Sequence, residues 1–190
     1  MSDLQPPQRP DWPEGAVFTV GHSTLPIERF IAVLRAHGIE LVVDVRTVPR
    51  SRRNPQFNGD ALAESLATVR VDYVQMRELG GLRRARADSP NTGWRNAGFR
   101  GYADHMQTEA FAAALDRLVD MSREKRLAMM CAEAVPWRCH RSLVADALLA
   151  RGLPVVEILS ESSHRMHELT PFARVDGTRL SYPPEQGSLL

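Results

Sequence analysis

Short apolar runs alternate with amphipathic segments along this chain, and few architectures accommodate that rhythm. Residues 16–20, 41–45, 71–75, 127–131 and 154–159 are short and apolar, and read as strands. Helical spacing fills the gaps over 26–37 (Ile27, Phe30, Ile31, Leu34), 60–68, 108–122 (Phe111, Leu115, Leu118, Val119) and 139–151 (Leu143, Val144, Ala147, Leu148). The punctuation agrees: Thr24 is a candidate N-cap, Pro26 lies in a first turn, and Gly38 and Gly152 sit just past helix ends. Strands alternating with helices imply an α/β fold of three layers: a mostly parallel five-stranded sheet with helices on both faces.

The chain has 190 residues, 43% hydrophobic and 25% charged, which suits one ordinary core. Residues 1–14, with Pro6, Pro7, Pro10 and Pro13, read as a flexible N-terminal arm. Residues 15–190 form a single domain that closes in a coil-rich tail over 160–190. Residues 76–104, rich in Arg and Gly, fit no element, and a loop of that length suits a lid or binding segment. The formal charge of +1 supplies no global field toward nucleic acid or membrane. Local bias exists in Arg46, Arg50, Arg52 and Arg53, and in Arg83, Arg84 and Arg86; Lys125 is the only lysine. No stretch approaches the roughly 20 apolar residues of a membrane span. The first residues lack the parts of a signal peptide. A cytoplasmic location is therefore expected, with the two cysteines, Cys131 and Cys139, reduced and unbridged.

In such a sheet the chemistry gathers at the carboxyl ends of the strands. Residues there are distinctive: Gly21, His22 and Ser23 after the first strand, Asp44 and Arg46 at the second, Cys131 and Glu133 at the fourth. The segment from Cys131 through Glu133, Arg138, Cys139, His140 and Arg141 is the sharpest feature. A helix starting near Cys139 would turn free amides and its positive dipole end toward an anion, and Arg138 and Arg141 would add charge. The same field favours thiolate. Phosphatase and sulfurtransferase loops share this logic, but six residues separate Cys131 from Arg138 and the loop holds no Gly, so that match is loose.

Cys131, Cys139, Glu133, His22 and Asp44 are the candidate catalytic groups, as nucleophiles, acid/base groups or proton carriers. Arg46, Arg138, His140, Arg141 and Ser23 are the candidate substrate holders. Each has a structural alternative. A free Cys packs as a small hydrophobe, Glu133 can pair with an Arg of its own loop, and Ser23 can cap a helix. Asp44 and Arg46 share a face if the strand stays extended through both, and then form a structural pair. Cys131, Glu133, Cys139, His140 and His22 could supply metal donors. No Cys-x-x-Cys or His-Glu-x-x-His occurs, however, and neighbours on a helix point apart, so neither metal nor cofactor is assigned.

The motifs Thr19-Val20-Gly21-His22-Ser23, Asp44-Val45-Arg46 with Pro49 and Ser51, Tyr73 with Leu79-Gly80-Gly81, and Cys131-Ala132-Glu133 with Cys139-His140-Arg141 resemble the domain-of-unknown-function family 488. The resemblance runs in order over residues 17–158. It implies an α/β domain and brings no settled activity.

The expected function is that of an enzyme acting on an anionic, phosphate-bearing substrate such as a nucleotide or nucleic-acid end. The rival expectations are a non-catalytic module binding nucleic acid or protein, and a thiol redox or metal-sensing protein. No membrane partner is expected, and the sequence leaves the oligomeric state open.

Overall fold

The computed structural model describes residues 12–184. Its order is β1 (Val17–Gly21), α1 (Ile27–Ala36), β2 (Leu41–Asp44), α2 (Gly59–Ala67), β3 (Asp72–Gln75), α3 (Ala97–His105), α4 (Glu109–Glu124), β4 (Leu127–Cys131), α5 (Arg141–Ala150), β5 (Val155–Ile158), β6 (His164–Met166), β7 (Arg174–Asp176) and β8 (Arg179–Ser181). The main sheet runs β3-β2-β4-β1-β5-β6, parallel except for the last pairing.

β4, and β2 up to Asp44, read as apolar runs because helices cover both their faces. Alternate residues feed two cores. Phe18, Val20, Val42, Ala128 and Met130 pack with Phe30 and Leu34 of α1 and Leu62 and Leu66 of α2. Val17, Val43, Leu127 and Met129 pack with α3, α4 and α5 on the other face. Three layers result, as the rhythm implies. Gly38 (φ +63°) and Gly152 (φ +80°) end α1 and α5 in the left-handed region. The amides of Ile39 and Leu153 beyond them reach back to Leu34 O and Leu148 O, which ties off each helix.

The sheet has six strands rather than five, because the tail read as coil adds β6 antiparallel to β5 and then folds a β7–β8 hairpin. Three-residue strands leave too short an alternation to see in sequence. The 76–104 segment contains α3, whose two glycines and polar residues hide its period. A Cβ on Gly101 would stand 2.3 Å from Arg83 O, so the loop's close crossing of the helix here needs glycine. Buried Asp104 organises that loop by accepting from Arg86 N, Ser89 Oγ and Asn91 Nδ2. Thr24 does not cap α1; Pro26 holds the N-cap position. The expected N-terminal arm lies outside the described residues up to residue 11, and Trp12 already packs edge-on against Phe18, 5.2 Å between centroids.

The strand order fixes the site. β1 connects through α1 toward β2, while its neighbour β4 connects through α5 on the opposite face toward β5. Adjacent strands whose connections depart to opposite faces leave a crevice at their carboxyl ends. Gly21 lies level with Cys131 in that register, and Asp44 with Met130.

Candidate functional site

The loop after β4 crosses directly over the end of β1. His22 N donates to Cys131 O and Ser23 N to Ala132 O. A Cβ on Gly21 would lie 2.0 Å from Glu133 O, so the close approach that glycine permits here is to the protein's own backbone. Ser23 turns the chain away with φ +48°.

Two clefts meet at this crossing. One, of about 410 Å³, is lined by Arg46, Leu82, Phe99, Tyr102, Glu133, Arg138, His140 and both cysteines. The other, of about 520 Å³, is lined by His22, Ser23, Arg46, Arg50, Ser51 and Glu133. Arg46, Ala132 and Glu133 border both. Asp44 and Arg141 line neither.

Asp44 is fully buried and fully engaged. Arg46 grips it with Nε to Oδ1 at 2.8 Å and Nη2 to Oδ2 at 2.6 Å, and Tyr73 donates to Oδ2 at 2.7 Å. Asp44 thus positions Arg46 and has no oxygen turned to the cleft; the structural pairing of the two holds even though β2 ends at Asp44. Arg46 Nη2 also donates to Phe57 O, and Nη1 faces His22 Nε2 at 3.2 Å. His22 Nδ1 lies 2.8 Å from Ser23 O, which can only accept, so Nδ1 carries the proton and Nε2 accepts from Arg46. Burial, with the nearby Arg46 and Arg141 charges, lowers the His22 pKa to about 4 despite the Ser23 bond. His22 is therefore a neutral brace for Arg46, stacked on Phe57 at 4.0 Å, rather than a proton carrier facing substrate.

The cysteines form the centre. Both are free thiols, 3% and 6% exposed, and their sulfurs stand 2.6 Å apart in a buried hydrogen bond. Arg141 lies beneath them, 0% exposed. Its Nε donates to Cys131 Sγ at 3.0 Å, Nη1 to Thr19 Oγ1 at 2.8 Å and Nη2 to Glu133 O at 2.7 Å. Among the described residues no carboxylate pairs with it. A buried cation without an anion is costly by several kcal/mol, and the sulfurs are the groups present that can supply the charge. One proton shared between the sulfurs and one negative charge on the pair would supply that anion. The hydrogen bond from Cys131, with His140 and the Arg141 charge against burial, lowers the Cys139 pKa to about 3. Burial and the same sulfur–sulfur bond push the Cys131 thiol up.

α5 begins at Arg141 rather than at Cys139, because Pro136–Arg138 forms a short 3-10 turn that leaves Cys139 extended. Cys139 and His140 therefore do not diverge as neighbours on a helix would: His140 Nδ1 lies 3.7 Å from Cys139 Sγ. His140 Nε2 lies 2.9 Å from Val45 O and donates to it, which turns Nδ1 toward the sulfur. The Arg141 amide at the helix start points at Cys139 Sγ, 3.5 Å away. The amide at this helix end thus meets a sulfur of the protein's own loop, and the Arg141 guanidinium is turned to Cys131 Sγ, Thr19 Oγ1 and Glu133 O rather than to the cleft.

Glu133 extends an exposed side chain whose Oε1 accepts from Val135 N, while its carbonyl takes Arg141. Arg138 is exposed at the cleft mouth. Among the described residues no three His, Cys, Asp or Glu side chains converge as a metal site. Thr19, Phe57, Phe99 and Tyr102 stand outside the candidate site residues of the sequence. Thr19 is the one polar residue inside the apolar run of β1, and Phe99 and Tyr102 belong to the stretch that suits a lid or binding segment; both line the cysteine cleft.

The family pattern described as domain of unknown function DUF488 matches residues 26–148, about two thirds of the chain. The chain belongs to the DUF488 family. The matched stretch holds Asp44, Arg46, Cys131, Cys139, His140 and Arg141, while His22 and Ser23 precede it. No curated protein and no solved structure matches the chain. Among the described residues no helix is long and apolar enough to cross a membrane.

Proposed function

We propose that this DUF488 chain is a cytoplasmic enzyme in which Cys139 acts as a thiolate nucleophile on an anionic substrate held by Arg46 and Arg138. One observation carries the reading: a wholly buried arginine, Arg141, whose guanidinium meets Cys131 Sγ and whose amide meets Cys139 Sγ at the floor of a cleft, with no carboxylate beside it among the described residues. A purely structural site would pair that cation with a carboxylate. Cys131 donates its proton to the Cys139 sulfur, and His140 Nδ1 takes or returns a proton there. Arg138 at the mouth and the outer edge of Arg46 draw in the negative group, with Leu82, Phe99 and Tyr102 as the apolar wall. Phosphate-bearing nucleotides and nucleic-acid ends are the first class to assay.

Alkylation tests the nucleophile directly. Iodoacetamide should modify Cys139 at a rate that stays high well below the ordinary thiol range, and phosphate or sulfate should slow it. A rate that rises only above pH 8 and ignores both anions would remove the proposal. A second reading, as a nucleic-acid binding module, is favoured by exposed Arg50, Arg52 and Arg53 beside the second cleft. It requires binding that weakens steeply with salt and persists in Cys139→Ser.

A further inference from the structure

Two sulfurs stand where nucleophilic chemistry needs one. Cys131 Sγ and Cys139 Sγ touch at 2.6 Å, and both face the same cleft. Cys131 ends a central strand, whereas Cys139 sits in the loop between that strand and α5. The loop can adjust to the geometry that a bond between the sulfurs demands while the strand stays fixed. Its neighbour Trp137 is 57% exposed and is held by Arg165, whose guanidinium lies 4.6 Å over the ring.

Arg141 sets the direction of the couple. Two of its three side-chain partners, Thr19 Oγ1 and Glu133 O, are neutral acceptors; the third is Cys131 Sγ. A disulfide carries no charge, so closing the bond would leave the cation buried with neutral partners alone. That cost falls on the oxidised form. The reduced, thiolate form is favoured, and a disulfide destabilised in this way is an oxidising one that ordinary thiols open. Only a strong two-electron oxidant drives such a pair to the disulfide. The cleft beside it, walled by Leu82, Phe99 and Tyr102 with Arg46 and Arg138, admits a small organic molecule with an anionic end.

We propose that Cys139 and Cys131 are a catalytic dithiol that reduces an organic hydroperoxide and is reset by a small thiol. The proposal rests on the nucleophilic Cys139 described above. The Cys139 thiolate attacks the terminal peroxide oxygen: an S–O bond forms, the O–O bond breaks, and the alkoxide takes a proton from water to leave as the alcohol. Cys139 is now a sulfenic acid. Cys131 gives up its proton and attacks Cys139 Sγ; the S–S bond forms, the S–O bond breaks, and hydroxide leaves as water with that proton. Two electrons pass from the two sulfurs to the peroxide. One small thiol then attacks Cys139 Sγ and frees Cys131, and a second releases Cys139 and leaves as the small-molecule disulfide.

The test uses the full reduced chain and one equivalent of cumene hydroperoxide under nitrogen, read by thiol titration and intact mass. Both thiols should disappear with no oxygen retained, and glutathione should restore them. Cys131→Ser should stop at a Cys139 sulfenic acid that dimedone traps. Cys139→Ser should react at least ~10-fold more slowly. Arg141→Lys keeps the charge and guards against misfolding; in folded Arg141→Met the disulfide should need ~10-fold more glutathione to open, since its destabilising cation is gone. Retention of oxygen by the wild-type chain, or no loss of thiols, overturns the dithiol. If iodoacetamide still finds a low-pH thiolate in that case, the nucleophile survives without it; if Cys139 alkylates as an ordinary thiol, both fall.

Discussion

Two buried cations in this molecule are neutralised by different chemistry. Arg141 rests on sulfurs. His167, on the C-terminal segment after β6, lies between two buried carboxylates: Nε2 meets Asp146 Oδ1 at 2.8 Å and Nδ1 meets Glu157 Oε1 at 2.7 Å.

 

Tyr182 and the Thr170 amide also donate to Asp146, and Arg165 donates to Glu157. Carboxylates are permanent anions at neutral pH, so His167 is a clamp that fastens the C-terminal segment to α5 and β5. The two hydrogen bonds to Asp146 and Glu157 and their charges outweigh burial and raise the His167 pKa to about 9. Sulfur is an anion that can be titrated, alkylated and oxidised. A cation paired with it has a counterion that chemistry can remove, which is what separates a reactive site from a fastening.

Breaking the clamp should have the largest effect on stability. Asp146→Ala strips His167, Tyr182 and Thr170 of one buried acceptor and should cost about 3–5 kcal/mol in denaturant unfolding. Cys139 in the folded fraction should still alkylate at the wild-type rate. Replacing both cysteines by Ala leaves Arg141 on its neutral acceptors and should cost less, about 1.5–3 kcal/mol, the scale of a hydrogen bond to a charged group, while abolishing alkylation. If the double cysteine variant is as stable as the wild type, the sulfurs carry no charge for Arg141 and the contrast between the sites disappears.

The two regions were also unequally legible in the sequence. The five central strands, the four periodic helices and the gathering of Cys131, Cys139 and Arg46 at one edge follow from apolar periodicity and the strand-end rule. The clamp was invisible: Asp146 lies inside an apolar helix pattern, Glu157 inside a strand run, and His167 in a segment without period. Their pairing depends on long-range packing, which local patterns do not encode. Within the reactive site the residue types were readable but not their roles. Whether Arg141 faces substrate or sulfur depends on a two-residue shift in the start of α5, and that shift comes from the Pro136–Arg138 turn.

pH should pull the two sites in opposite directions. His167 has a raised pKa, so its contribution is complete below its ordinary value of 6.5 and is lost as pH rises through about 9. The stability difference between wild type and His167→Gln should therefore shrink toward alkaline pH. Cys139 has a lowered pKa, so its contribution is complete above the ordinary thiol value of 9.0 and is lost as pH falls toward about 3. The difference between wild type and Cys139→Ser should shrink toward acid. Parallel pH profiles for the two variants would mean that the sulfur pair does not hold a thiolate.

The smallest effect on stability belongs to Arg138, and it sharpens the comparison most narrowly. Its side chain is exposed at the mouth of the cysteine cleft, and among the described residues no ion pair depends on it. Arg138→Ala should therefore shift unfolding by no more than about 0.5 kcal/mol, as surface changes do. If Arg138 guides anions to the thiolate, the same change should weaken the protection that phosphate gives Cys139 against iodoacetamide, with the unprotected rate little altered. Arg141 cannot be tested this way, because its loss disturbs the sulfurs themselves. Equal phosphate protection in Arg138→Ala and wild type would leave Arg46 as the cleft's anion contact, and a fall in stability like that of Asp146→Ala would place Arg138 with the fastenings rather than the reactive site.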